Sequence, residues 1–493
     1  MSNKVQIKRL VTGIPGLDSL FGGGIPEFSF NLIAGTPGSG KTTLAHQMMF
    51  ALTSTESRAL FFTVLGEPSL KMLRYQQQFS FYDLKKQNES IRYVNLADDI
   101  MDGDYDRVLA RILAEVKAYS PSFVFVDSFR SIVQAADYQS KGPTDLQHFV
   151  QRLSMQMTSW QATTFLIGEY MDSEAQTSPV YTIADGIVWL VQSKQRNSVV
   201  RKVQVVKMRG QANSQGAHTF RIDNDGVHVF PRAMVDPNEV KRPAARIPAT
   251  SKRLSTGVAE LDAMLGGGIP AGYSTLLVGP SGSGKTVLAT EFLAEGVRIG
   301  EAGVIAAFEK SPNQLLSQKL DDLVQSGQVG LIDTHSLDLS IDETLHDLVS
   351  TIQRLNAKRV VIDSLSGFEL ALAPAFQEDF RESLYRLVAV LTGMGVTVLM
   401  TTELEDRYGD LRFSPYGNAF LADAIILQRY IELEGEFKRV ISVVKVRGSK
   451  HSKAIRLFDI EDDAVVIGDP LSHYEGILTG KPTSMLRGGL TTD

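Results

Sequence analysis

The chain has 493 residues, no cysteine and a formal net charge of 50 − 56 = −6. The missing cysteines exclude disulfides, thiolate zinc sites and a cysteine nucleophile. No apolar run reaches membrane-helix length and no apolar leader opens the chain, so a cytoplasmic protein with no membrane partner is expected. The mild acidity argues against nucleic acid as a partner.

Taken in chain order, the first half opens with TGIPGLDSLFGGGIP at 12–26. An apolar run over 29–34 predicts a buried strand, and GTPGSGKT follows at 35–42. A strand, this G-x-x-x-x-G-K-T loop and a helix over 42–52 form a P-loop. Its glycines let backbone amides turn inward around phosphates. Thr36, Pro37, Gly38, Ser39, Gly40, Lys41, Thr42 and Thr43 are the expected nucleotide contacts. Lys41 adds charge at the β- and γ-phosphates, and the Thr42 hydroxyl is offered to Mg²⁺. The bland alternative is a glycine-rich turn without a ligand.

A second strand is predicted over 59–64. The segment KMLRYQQQFSF at 71–81 is read as helical, with Met72, Leu73, Tyr75, Gln76 and Phe79 packed on a core or a neighbour. Helices are predicted over 104–118 and 145–160, and strands over 123–126, 163–167 and 186–191. Alternating apolar runs and amphipathic stretches predict an α/β fold, a mostly parallel sheet flanked by helices. Asp127 ends the third run, as a carboxylate aimed at Mg²⁺ would, or as a helix cap. Glu169, after the fourth, is either a phosphate sensor or a solvated strand end. Lys207 and Arg209, two apart on a late strand, share a face and read as a phosphate clamp or a solvated basic strand.

Residues 231–250 hold four prolines and read as a linker. The second half then repeats the first. TGVAELDAMLGGGIP stands at 256–270, GPSGSGKT at 279–286, RVVIDS at 359–364, LADAIILQ at 421–428 and VKVRG at 444–448. Five blocks recur in one order, so the chain is a tandem duplication. The expected domains are 1–232 and 251–468, joined by 233–250 and followed by a surface tail, 469–493. Ser281, Gly282, Ser283, Gly284, Lys285, Thr286 and Val287 form the second phosphate loop; Thr286 and Asp363 are its magnesium residues.

Hydrolysis also needs a carboxylate to polarise water. Glu309 ends the strand after the second P-loop, 24 residues beyond Lys285. The matching first-half position is Leu65, and Glu67 is the nearest carboxylate. Glu309 is therefore the expected base, or else a solvated strand-end carboxylate, and the first site binds ATP tightly or uses Glu67.

Together these residues resemble the KaiC family of RecA-like P-loop ATPases, from residue 5 to about 482. The resemblance implies two tandem RecA-like P-loop NTPase domains and a homo-oligomer, a double-ring hexamer with ATP and Mg²⁺ between subunits. It implies that Lys207 and Arg209 reach a neighbour's first-domain ATP, and that Lys445 and Arg447, with His451 and Lys453, do so in the second ring. It further implies a signalling or switch role with an unidentified protein partner. Two departures stand out. The family's catalytic carboxylate pair is Leu65-Gly66 in the first domain and Glu309-Lys310 in the second. The adjacent Ser-Thr phosphorylation pair of clock members is Ala419-Phe420. An autokinase using another acceptor, such as Ser414, and a DNA-dependent motor are the competing readings.

Overall fold

The computed structural model describes residues 7–64, 69–137, 143–171, 178–195, 198–232, 252–308, 318–333, 339–377, 380–404, 421–461, 464–477 and 482–484. The chain forms two compact units, Met1–Arg232 and Ala233–Asp493.

In the first unit a nine-stranded sheet carries the site. From one edge its order is Ile91–Asn95, Ala59–Thr63, Phe123–Asp127, Thr163–Glu169, Phe30–Gly35 and Gly186–Gln195, all parallel. Ser198–Met208, Ala217–Asp223 and Gly226–Phe230 extend it antiparallel. The second unit repeats this order: Val329–Asp333, Gly303–Ala307, Arg359–Asp363, Thr397–Glu403, Ser274–Gly279 and Ala424–Leu433, then Glu436–Val446, Ile455–Glu461 and Ala464–Pro470. The mostly parallel α/β sheet read from the sequence is therefore present twice.

Side chains on a strand alternate between faces, and both faces of a parallel sheet are covered. Leu32, Leu60, Phe62, Val124 and Val126 face one layer, with Val108, Ile112, Phe149 and Leu153 of the helices Tyr105–Tyr119 and Pro143–Ser159. Ile33, Phe61, Phe125 and Phe165 face the other, with Leu44, Met48 and Met49 of the helix Lys41–Leu52. Phe61, Phe125 and Phe165 stack in a row, with ring centroids 5.9 and 4.7 Å apart. Because both faces are buried, each strand reads as a continuous hydrophobic run.

Two expectations change on contact with the fold. Tyr75, on the helix Ser69–Gln76, is 59% exposed and does not pack on this unit's core, whereas the next residue, Gln76, is buried. Phe79 is half-buried and stacks on Phe81 at 5.1 Å, within residues 77–90, a longer connection than its counterpart 326–328. The tail expected from 469 is also not simply a surface appendage. The strand Ala464–Pro470 runs through that boundary. Beyond it Leu471, Tyr474 and Ile477, three apart, pack against Ile431 and Val440. The linker at 233–250 falls outside the described residues.

Candidate nucleotide sites

Each P-loop closes at the carboxyl end of a central strand. Gly40 ends the first loop at φ 101° and Gly284 the second at φ 95°, left-handed positions that favour glycine. A Cβ at either would also strike a hairpin side chain, Ile222 at 2.6 Å or Ile460 at 2.4 Å. The helices Lys41–Leu52 and Lys285–Arg298 begin immediately after, so their free amides face the loop mouth.

In the first unit, Lys41 Nζ donates to the carbonyls of Gly35 and Thr36 at 3.1 and 2.8 Å and lies 4.0 Å from Glu169. Burial lowers its pKa, against the pull of Glu169 and Asp127. The Thr42 hydroxyl donates to Asp127 Oδ2 at 2.7 Å. Burial pushes the Asp127 carboxyl up to about 6, although the Thr42 bond and Lys41 oppose it. These groups border a cavity of about 780 Å³, which Pro37, Gly38, Gly40 and Thr43 also line. Thr36 Oγ1 accepts from Gln192 N at 3.4 Å, and Ser39 is buried beneath the loop.

The second unit repeats the arrangement. Lys285 Nζ donates to the carbonyls of Gly279 and Pro280, both at 2.9 Å. The Thr286 hydroxyl donates to Asp363 Oδ2 at 2.8 Å, and Thr401 donates to Asp363 Oδ1. Ser283 Oγ donates to Gln428 Oε1 at 2.8 Å. Ser281 and Gly282 are exposed on the loop, and Val287 lies in the first helical turn.

The Lys–Arg pairs lie elsewhere. Lys207 pairs in register with Ile187, which is level with Leu32. Its Nζ donates to the carbonyls of Tyr181 and Thr182, both at 3.1 Å. Arg209 donates to Asp185 Oδ1 at 3.1 Å, and Asp185 in turn accepts from Phe30 N at 3.0 Å. Lys445 and Arg447 repeat this, on the Ala422 carbonyl at 2.7 Å and on Asp423 Oδ1 at 3.0 Å. Burial, then the neighbouring arginine, lowers both lysine pKa values. All four cationic heads are thus at the amino end of the parallel strands. The P-loops are at the carboxyl end, roughly 16 Å away for the five steps from Phe30 to Gly35. His451 and Lys453 follow on the turn after Arg447, anchored through Ser452 N to Met264 O at 2.8 Å. The structure brings together the P-loops, the threonines and the aspartates. It does not bring the Lys–Arg pairs to them within a unit.

Glu67, Glu309, Ser414, Ala419 and Phe420 lie outside the described residues. Sequence reasoning missed Arg130, Gln134, Tyr170 and Met171, which also line the first cavity. No motif spacing marks them. Only their nearness in sequence to Asp127 and Glu169 could have found them.

Comparison with known proteins points to one family. The KaiC ATPase family model matches residues 10–234 and 254–472. The circadian clock protein KaiC3 of Synechocystis is 29% identical over 499 residues, spanning 97% of this chain and 95% of its own length. The circadian clock oscillator protein KaiC of Rippkaea orientalis is 28% identical, over 97% of this chain and 92% of its own. That of Prochlorococcus marinus is 27% identical, over 98% and 97%. No helix among the described residues is long and apolar enough to cross a membrane. With both repeats matched and two P-loop sheets of one topology, the chain belongs to the KaiC family of ATPases.

Proposed function

We propose that the chain is an ATP-hydrolysing molecular switch whose working form is a closed ring of like subunits, a double-ring hexamer with ATP at the subunit interfaces. The position of the Lys–Arg pairs carries this reading. A cation at the amino end of the strands cannot serve a nucleotide at the carboxyl end of the same sheet. In a head-to-tail ring each pair meets the P-loop of the next subunit. There it would stabilise charge developing on the γ-phosphate. His451 and Lys453 extend the same face in the second ring.

The residues present fit magnesium. In both units a threonine hydroxyl and an aspartate converge beside the P-loop. The raised pKa of Asp127 marks a buried carboxylate that a cation would relieve. Thr42 with Asp127, and Thr286 with Asp363, would hold the ion, which when bound neutralises charge on the β- and γ-phosphates. The protein's own contribution is to cradle the phosphates on loop amides and to place Lys41 and Lys285 against them. Glu309 then polarises water at the second site. The first site, with Leu65 at the matching position, holds ATP longer or relies on Glu67.

Two of the relatives named above are circadian clock oscillator proteins by name, and the third is a circadian clock protein. For this chain we infer that a protein partner reads the nucleotide state. Ala419 and Phe420 rule out phosphorylation at that pair.

A subunit-mixing experiment tests the ring. Glu309→Gln subunits lack the base, and Lys445→Ala/Arg447→Ala subunits lack the clamp. Each alone is expected to release phosphate about 100-fold more slowly than wild type. Mixed rings juxtapose an intact base with a neighbour's intact clamp, so activity is expected to recover. Co-assembled rings that stay inactive would show that the pairs do not act between subunits.

A further inference from the structure

The first cavity contains a cation whose counterpart the second unit lacks. Arg130 stands three residues after Asp127, in the first turn of the helix Phe129–Asp137. It lines the same cavity as Lys41, Thr42, Asp127 and Glu169. Its guanidinium lies over the buried Tyr170 ring, 5.3 Å from the centroid. Its Cβ lies over Gly168, which immediately precedes Glu169. Tyr170 thus forms a floor that keeps the guanidinium at the wall of the cavity that Glu169, itself 4.0 Å from Lys41 Nζ, also lines.

That wall is the γ-phosphate side. The magnesium pair, Thr42 and Asp127, marks where the β- and γ-phosphates lie, and the loop amides hold the phosphates nearer the nucleoside. Among the described residues, the first cavity balances Asp127 and Glu169 with Lys41 and Arg130, a formal sum of zero. At the second site Ser366 stands three residues after Asp363, and Leu404 follows Glu403 where Tyr170 follows Glu169, so the position matching Arg130 carries no cation and the position matching Tyr170 no ring. An added terminal phosphate brings negative charge, which a site with this extra cation accepts more readily than one without it.

We propose that Arg130 is a second cation for the terminal phosphate, supplied from the same subunit, and that it makes the first site discriminate ATP from ADP more strongly than the second. This rests on the reading of the first P-loop as an ATP site. It also gives that site a holding role suited to Leu65 where the second site has Glu309.

The test uses the full-length chain carrying Lys285→Ala, so that only the first site binds. It is titrated with ATPγS and with ADP, each with Mg²⁺. Arg130→Ser, which copies the second unit, is expected to weaken ATPγS binding about tenfold or more and ADP binding less than about threefold. Arg130→Lys is expected to fall between, since a lysine keeps the charge but not the fork. Equal weakening of both nucleotides, or of neither, overturns the proposal. Circular dichroism of each variant separates misfolding from lost binding, and the reciprocal Ser366→Arg in a Lys41→Ala chain is expected to strengthen ATPγS over ADP at the second site. A parent chain that binds neither nucleotide would sink the reading of the first P-loop itself, an outcome visible before any change at Arg130.

Discussion

His46 illustrates how one side chain is fixed by its neighbours. It lies one turn into the P-loop helix, fully buried, 4.5 Å from the Phe61 ring and 6.3 Å from the Tyr93 ring. Its Nδ1 is 2.8 Å from the Thr42 carbonyl. A carbonyl oxygen only accepts, so Nδ1 carries the proton. Burial pushes the pKa down to about 4, against the raising effect of that bond. Protons therefore bind the unfolded chain better. The stability His46 contributes is present above about 6.5 and is lost as pH falls towards 4. Asp127 has the opposite sign: its raised pKa favours the folded state at low pH, and that contribution is lost as pH rises through about 6. Only a variant isolates either group. The second unit has Thr290 at the matching place, and its hydroxyl donates to the Thr286 carbonyl at 2.9 Å. His46→Thr is expected to keep the tie and cost about 1–3 kcal/mol at pH 8 through lost ring contacts. It should lose less stability than wild type between pH 7 and 5. Urea unfolding at the two pH values checks this, and identical losses would contradict it. Nothing in the local sequence announced the buried state of His46. The P-loop residues around it were legible because phosphate binding demands a fixed spacing. Arg130 was not, because a cation in the first turn of a helix follows no pattern.

At the scale of elements, the parallel strands were legible because both their faces are buried, which leaves unbroken apolar runs. The strand Arg359–Asp363 is the informative exception. It opens with a fully buried arginine where the first unit has Phe123. Arg359 donates to the carbonyls of Ser255 and Phe292 at 2.7 and 2.9 Å and to Glu301 at 3.2 Å, with the Phe292 ring 4.6 Å away. Sequence reading passed over it, since its partners come from three separate segments. Arg359→Ala leaves a cavity, frees two carbonyls and strips one of the two cations from Glu301, which keeps Lys252. The expected cost is about 3–5 kcal/mol. Both tryptophans, Trp160 and Trp189, belong to the first unit. The loss should therefore appear in circular dichroism of the second unit's transition and leave the tryptophan transition in place. A shift of the tryptophan transition by the same amount would contradict this assignment.

For the whole molecule, the duplication was the strongest signal in the sequence, and the structure reproduces it as two sheets of the same strand order. Duplicated folds need not do duplicated work. The phosphate loops, threonines and aspartates match closely. The carboxylate after the second strand, the Arg130 position and the residue facing the loop glycine differ, with Gln428 bonded to Ser283 and Leu190, at the matching position, level with Gly35. The proposed division into a holding site and a working site was legible only in part. Leu65 against Glu309 is visible in the sequence, whereas the grouping of Arg130 and Tyr170 with Lys41 and Asp127 around one cavity emerges only when distant strands meet. The most direct measurement is the rate of phosphate release by the full-length chain with Mg²⁺ and ATP, wild type against Glu309→Gln. The account predicts a fall of about 100-fold or more. An unchanged rate would contradict it and place hydrolysis at the first site.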